Sequence, residues 1–252
     1  MVKLIPRMKE WVAAWYPGTK IGLTEYNWGA ENHINGATAQ ADILGILGRE
    51  GLDLATRWTT PPTTSPTYKA MKLYRNYDGN KSGFGDTSIL ASAPNPDNVS
   101  AFAALRSSDG AMTVIVINKQ LSLAASASVN LNNFLPAGSA QVWQLTAANT
   151  ISSLGNVSFI GTTVTDTLPP QSITLFVILP GARPRLTAGT LTGTTFDLWL
   201  DGQPGQKYVL QATTNFVNWS SLQTNTLTSN SFHYLLPSST VPFRFYRAQW
   251  SP

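Results

Sequence analysis

The residues best placed to do chemistry fall in one short stretch. Ile21-Gly22-Leu23-Thr24-Glu25-Tyr26-Asn27 reads as a strand ending in a carboxylate, followed at once by Trp28-Gly29. In parallel βα architectures the loops converge at the C-terminal ends of the strands, and sites form there. Glu25 would sit at such an end. Tyr26 and Asn27 carry donors that could keep it ionised, as a nucleophile requires. Trp28 and Trp58, at the ends of successive strands, suit the apolar faces of sugar rings, and Asn32 and His33 suit their hydroxyls. Spacing leaves a second reading open, in which Glu25 merely ends its strand in an ion pair with Arg57. His33 is open in the same way, as a proton shuttle or as an ordinary loop donor.

Other chemistries have less support. The chain has two His and no Cys, and its carboxylates are scattered without ligand spacing, so neither a metal site nor a disulfide framework is expected. No cofactor motif is present. Only 12% of the 252 residues are charged, against about 25% in an ordinary soluble domain. The formal net charge of +4 is small, and no basic run is interleaved with aromatics, so nucleic acid is not an expected partner. The apolar runs Val114–Ile117 and Leu175–Leu179 fall far short of the ~20 residues of a membrane span. From Leu121 to Pro180 the only ionisable side chain is Asp166. Ser, Thr, Asn and Gln alternate there with aliphatics, a surface that suits neutral ligands such as sugars and equally suits a sandwich that binds nothing. Met1 to Arg7 lacks the apolar core of a secretory leader.

These residues need a scaffold, and periodicity supplies one. Leu4, Ile5, Met8, Trp11, Val12 and Trp15 recur at helical spacing before Pro17-Gly18, which predicts a helix over 5–16. Residues 20–26 read as a buried strand, 36–49 as a helix, 51–56 as a strand and 67–77 as a helix capped by Ser65 with Pro66 at its first position. This alternation implies βαβ units and a parallel pair of strands. After Gly79 the period changes to two. Strands are predicted at 100–105, 112–118, 127–131, 140–145, 157–160 and 173–178, separated by turn signals such as Asp109-Gly110 and Pro136-Ala137-Gly138, the pattern of an antiparallel sandwich. Gly181 to Arg185 reads as a linker. A last block has strands at 194–200, 207–213, 232–236 and 243–249. The expected domains are therefore residues 1–80, 81–182 and 186–252.

Several stretches resemble glycoside hydrolase family 44. They are Pro6-Arg7-Met8-Lys9-Glu10-Trp11, Tyr16-Pro17-Gly18-Thr19-Lys20, Thr24-Glu25-Tyr26-Asn27-Trp28-Gly29 and the long run Ile34 to Gly45, followed by Gly48-Arg49-Glu50 and Ala55-Thr56-Arg57-Trp58. The resemblance covers roughly residues 1–180. It implies a secreted bacterial endoglucanase, a glycosidase of the cellulase type acting on β-1,4-glucans including xyloglucan and carboxymethylcellulose, with a (β/α)8 barrel beside a β-sandwich. It makes Glu25 the catalytic nucleophile at the end of barrel strand seven, with 52–58 as strand eight and 67–77 as the last barrel helix.

One departure from the family is large. A retaining glycosidase works with two carboxyl groups about 5–5.5 Å apart, and the family's acid/base lies on an Asn-Glu-Pro-like segment that this sequence lacks. Barrel strands one to six are missing too. The expected fold is thus an α/β remnant of a (β/α)8 barrel (its last two strands and helices), an antiparallel β-sandwich and a second small all-β domain. Glu31 is the candidate substitute acid/base, if its loop folds back toward Glu25. Half a barrel exposes an apolar edge, which predicts self-association. In the last block Trp199, Trp219, Tyr246 and Trp250 form either a sugar platform or part of a core, and His233 reads as structural. Two functions follow: an endo-β-1,4-glucanase with a β-glucan substrate, or a non-catalytic β-glucan-binding protein.

Overall fold

The computed structural model describes residues 3–237 and 243–252. The chain begins with α1 (Leu4–Trp15), β1 (Gly22–Tyr26), α2 (Ile34–Arg49), β2 (Leu54–Arg57) and α3 (Pro66–Arg75). Strands follow: β3 (Thr87–Ile89), β4 (Val99–Leu105), β5 (Met112–Asn118), β6 (Ala125–Asn130), β7 (Pro136–Leu145), β8 (Ile151–Ser158), β9 (Thr163–Leu168) and β10 (Ser172–Pro180). The last are β11 (Arg185–Thr192), β12 (Thr195–Asp201), β13 (Lys207–Thr213), β14 (Ser220–Thr226), β15 (Ser231–Pro237) and β16 (Phe245–Ser251). Mostly β-sheet with three helices among the described residues, the chain forms two compact units. One takes in the chain up to Ala127 with Gln141–Asn156 and Asp166–Val177, and the other Ser128–Ala140, Val157–Thr165 and everything from Ile178 onward.

In the first unit β1 and β2 pair in parallel, with Gly22 opposite Leu54 and Tyr26 opposite Arg57. The register shifts between Leu23 and Tyr26, the mark of a bulge, which bends a strand and re-aims its side chains. β1 is not the buried strand its composition suggests. Only Tyr26 is buried, because this two-stranded sheet lacks the neighbours and second layer that bury such strands in a complete α/β fold.

The core of the unit lies elsewhere. β5 is buried at every position within a six-stranded sheet of order β3-β4-β5-β10-β7-β8. Ile34, Ala37 and Ala41 of α2 and Ala70 and Leu73 of α3 join Phe102, Ile115, Ile117, Leu145, Ile173 and Leu175 of that sheet in one apolar cluster. Small residues make the close approach possible. A Cβ on Gly45 of α2 would lie 2.2 Å from the Phe102 ring. Polar ties flank the cluster: Asp42 accepts from Ser100 and, at 3.1 Å, from Lys119, and the Tyr74 hydroxyl donates to the Ala41 carbonyl at 2.8 Å. Burial pushes that hydroxyl's pKa up. The helices and the sheet, expected in separate domains, thus share a core.

α1 behaves differently. It forms over the predicted turns, yet none of its residues is buried, and Trp11, Trp15 and the following Tyr16 are exposed.

In the second unit the sheets β11-β12-β15 and β14-β13-β16 share a core of Leu198, Leu200, Tyr208, Leu210, Tyr234 and Leu236, against which Tyr246 and Trp250 pack. Gln206, 3% exposed, donates to the Gly161 carbonyl at 2.7 Å and accepts from the Trp250 indole N–H at 2.9 Å. Tyr246 and Trp250 therefore belong to the core. Sequence patterning misses β3, β9, β11 and β14 and puts at 157–160 a strand that runs over Ile151–Ser158; in β11 and β14 Ser, Thr, Gly, Asn and Gln dominate, and almost all residues are exposed. Pro136-Ala137-Gly138, read as a turn, instead opens β7, with Gly138 at φ +82°.

The contrast between two glycines of α2 tests this packing. Gly45→Ala drives a methyl into the buried Phe102 ring and should cost about 1–3 kcal/mol. Gly48→Ala, with nothing within 4 Å of the added Cβ, should stabilise by about 0.5–1 kcal/mol through helix propensity. Chemical denaturation of both variants checks the opposite signs.

Candidate functional site

The site is built at the C-terminal ends of β1 and β2 by the loops that leave them. Glu25 sits at the bulge of β1 and is exposed. Among the described residues it makes no ion pair. The indoles of Trp28 and Trp58, 58% and 56% exposed, leave the ends of the same two strands. The backbone N–H of Trp58 donates to the Tyr26 carbonyl at 2.8 Å, which keeps the strand ends together.

Arg57, at the end of β2, organises this region. Its side chain is only 5% exposed. Nη2 donates to Glu31 Oε1 at 2.7 Å and to Asn27 Oδ1 at 3.0 Å, and Nη1 donates to the Thr59 carbonyl at 2.8 Å. One guanidinium thereby binds the loop after β1 and the loop after β2. It uses the planar fork that only arginine offers. Asn27 Oδ1 also accepts from the Gly29 N–H at 2.9 Å. Ala30 and Thr59 hold positive φ angles of 52° and 62°, a conformation that costs a non-glycine residue energy and persists only where its surroundings enforce it.

The base of the first loop rests on α2. A Cβ at Gly36 would lie 2.1 Å from the Ala30 carbonyl oxygen, so only glycine admits the loop there. His33 Nδ1 accepts from the Asn35 N–H at 3.2 Å and caps α2. The Thr67 N–H of α3 donates to the Glu31 carbonyl at 3.3 Å, and Gln171 donates to Asn35.

Several expectations change. Arg57 pairs with Glu31, not with Glu25. Tyr26 is 8% exposed, and its hydroxyl accepts from Gln40 of α2 at 3.0 Å, so it belongs to the covered side of the strand. Asn27 is engaged by Arg57 and its own loop. The Tyr26 hydroxyl is thus turned from solvent, and the Asn27 side-chain oxygen is committed to Arg57 and the Gly29 N–H. His33 caps α2 through Nδ1 while the residue stays exposed, and Asn32 lies exposed in the turn before it. Glu31 is poorly suited to be an acid: hydrogen bonding from Arg57, then the loop backbone, holds its carboxyl below the usual range. It is charged at neutral pH and has no proton to give. Open to a ligand are Glu25, Trp28 and Trp58, a carboxylate beside two rings able to cover the apolar faces of a sugar, with Asn32 and His33 exposed in the same loop. Sequence reading missed Gly36 and the hub role of Arg57. A cation at a strand end between two loops was the available signal.

The Glu31–Arg57 pair has a pH signature. A carboxyl whose pKa is depressed by folding contributes stability above its unfolded pKa of about 4.3, and that stability is lost as pH falls through the folded value. Glu31→Gln should lower the melting temperature at neutral pH, and the difference from the parent should shrink below about pH 4. Thermal melts across that range check it.

No family model matches the chain. It is 37% identical over 177 residues to endoglucanase A of Paenibacillus lautus, an alignment covering 67% of this chain and 25% of the relative. Among solved structures, CelM2, a bifunctional glucanase-xylanase from a metagenome library, is 69% identical with a TM-score of 0.70, over 71% of this chain and 34% of that one. A Paenibacillus polymyxa xyloglucanase of glycoside hydrolase family 44 is 35% identical with a TM-score of 0.66, over 70% of this chain and 35% of that one. The chain therefore spans about a third of the length of these structures. Over the part so aligned, the chain is similar to enzymes of glycoside hydrolase family 44.

Proposed function

We propose that the chain carries the nucleophile-bearing part of a retaining endo-β-1,4-glucanase that acts outside the cell on cellulose- or xyloglucan-type glucans. The observation that carries this reading is Glu25: an exposed carboxylate at the C-terminal end of a parallel strand, beside exposed Trp28 and Trp58, in a chain similar over about two thirds of its length to enzymes named endoglucanase, glucanase-xylanase and xyloglucanase. On this reading α1 to α3 with β1 and β2 are the last helices and strands of a (β/α)8 barrel within residues 1–80. Residues 81–182 are the antiparallel sandwich beside it, and 186–252 are a small all-β module.

The indoles hold the glucan by its sugar faces, and the Glu25 carboxylate attacks the anomeric carbon to form a covalent glycosyl–enzyme. A general acid protonates the leaving oxygen, then acts as base for the water that releases the sugar. Since Arg57 keeps Glu31 ionised, that acid is another group, of this chain or of a second copy. The exposed aromatics of α1 and exposed Leu54 on β2 mark where further barrel structure packs, and a second copy of the chain would cover them in part. A second reading, a non-catalytic β-glucan-binding protein, is favoured by the one observation that Glu31 is not a free acid.

Two measurements test these readings. Reducing ends should be released from carboxymethylcellulose and xyloglucan by the parent chain, and Glu25→Gln should fall to background. Equal activity in both would remove Glu25 as nucleophile, whereas no activity in either, with glucan binding retained, would favour the second reading. Light scattering should give a mass above that of one 27.3 kDa chain, increasing with concentration, and Trp11→Ser/Trp15→Ser should return it to a monomer.

A further inference from the structure

The outward face of β11-β12-β15 carries an arrangement that the glucanase reading does not use. Leu198 and Leu200 of β12 are buried in the core of the second unit, so the alternation of a strand puts Asp197, Trp199 and Asp201 on the opposite side. β12 is the central strand of its sheet. Trp199 lies opposite Thr187 of β11 and opposite His233 of β15, and Asp201 lies opposite Arg185 and Ser231. An indole 44% exposed therefore stands in the middle of a mostly polar face, with Leu235, opposite Asp197, as an exposed apolar neighbour.

This indole is held in place. Its ring stacks on His233 with centroids 4.2 Å apart and planes 12° from parallel. His233 Nε2 lies 3.0 Å from Asp197 Oδ1, and Thr190 donates to Asp197 Oδ2 at 3.2 Å. Gly189 completes the chain of supports, because a Cβ there would lie 2.6 Å from that of Asp197. Exposed side chains ordinarily keep their rotamer freedom. Here three strands fix one ring, which is the preorganisation that lowers the entropic cost of binding. None of these groups stabilises the core. His233, read from the sequence as structural, thus supports a surface group.

From this geometry we infer that the Trp199 face is a second binding site, separate in sequence from the Glu25 region, for an uncharged β-1,4-linked glucan chain. The indole takes the apolar face of a sugar ring, and the carboxylates and hydroxyls beside it take the ring's hydroxyl groups. Charge complementarity selects this occupant. Asp197 and Asp201 stand on this face with Arg185 opposite Asp201, so the face carries no excess of positive charge and gives a polyanion nothing to bind. The choice of a β-1,4-glucan over other neutral polymers rests on the proposed glucanase reading. Of the other aromatics of this module, Trp219 has its ring covered by Arg247 at 4.1 Å.

Native affinity electrophoresis tests the site in the full-length chain. The background is Glu25→Gln/Trp28→Ala/Trp58→Ala, which removes hydrolysis and the first pair of indoles, and the gels contain hydroxyethylcellulose or, as control, dextran. The background should be retarded by hydroxyethylcellulose and not by dextran. Adding Trp199→Ala should weaken that retardation roughly tenfold, while adding Trp219→Ala should leave it unchanged. Thermal melts of the Trp199→Ala chain should match the background, since Trp199 is outside the core. Equal retardation with and without Trp199 would overturn the inference. So would absence of retardation in the background, and if Glu25→Gln alone were still retarded in that case, the glucanase reading would stand without this site.

Discussion

The closeness with which α2 must lie to everything around it constrains the first unit. One part of the helix meets the six-stranded sheet, where Gly45 leaves room for the Phe102 ring. Another meets the loop after β1, where Gly36 leaves room for the Ala30 carbonyl. Between them Ala37 and Ala41 are wholly buried, and Gln40 reaches the Tyr26 hydroxyl. A protein interior packed at crystal density tolerates little change in such spacings. The position of Glu25 is consequently set by contacts made on the far side of the strand that carries it. This explains how a two-stranded sheet, marginal by itself in water, keeps a defined end.

Arg57 complements this packing from the other direction. Its donors are divided between Asn27, Glu31 and the carbonyl of Thr59, so the two loops that carry the exposed indoles are coupled through one nearly buried cation. A buried cation is tolerated only when paired and hydrogen-bonded, and Glu31 meets that need. The carboxylate that holds the loops together is therefore unavailable for proton transfer. Structural and catalytic demands on Glu31 are opposed, and the structural one prevails here.

Two sets of exposed aromatics away from Glu25 stand in contrast. Those of α1 are crowded on a helix with no buried residue, as expected for a surface meant to be covered. Trp199 stands on a sheet face, braced by His233 and Asp197. Exposure is common to both, but the neighbours differ, and the neighbours indicate what each surface meets.

Much was legible in the sequence. The helices of the first 80 residues followed from 3.6-residue periodicity and from the Ser65-Pro66 start of α3, and β5 and β13 from alternating or continuous apolar runs, because local periodicity is what those elements require. Glu25 stood out as a carboxylate at a strand end, and the motifs around it pointed to the family. Polar strands such as β11 and β14 stayed hidden, since their pairing, not their composition, makes them strands. The partner of Arg57, the burial of Tyr26, the capping role of His33, and which of Trp199, Trp219, Tyr246 and Trp250 faces outward were decided only in three dimensions. Each depends on residues distant in sequence competing for the same donor or the same space, and a one-dimensional pattern carries no record of that competition.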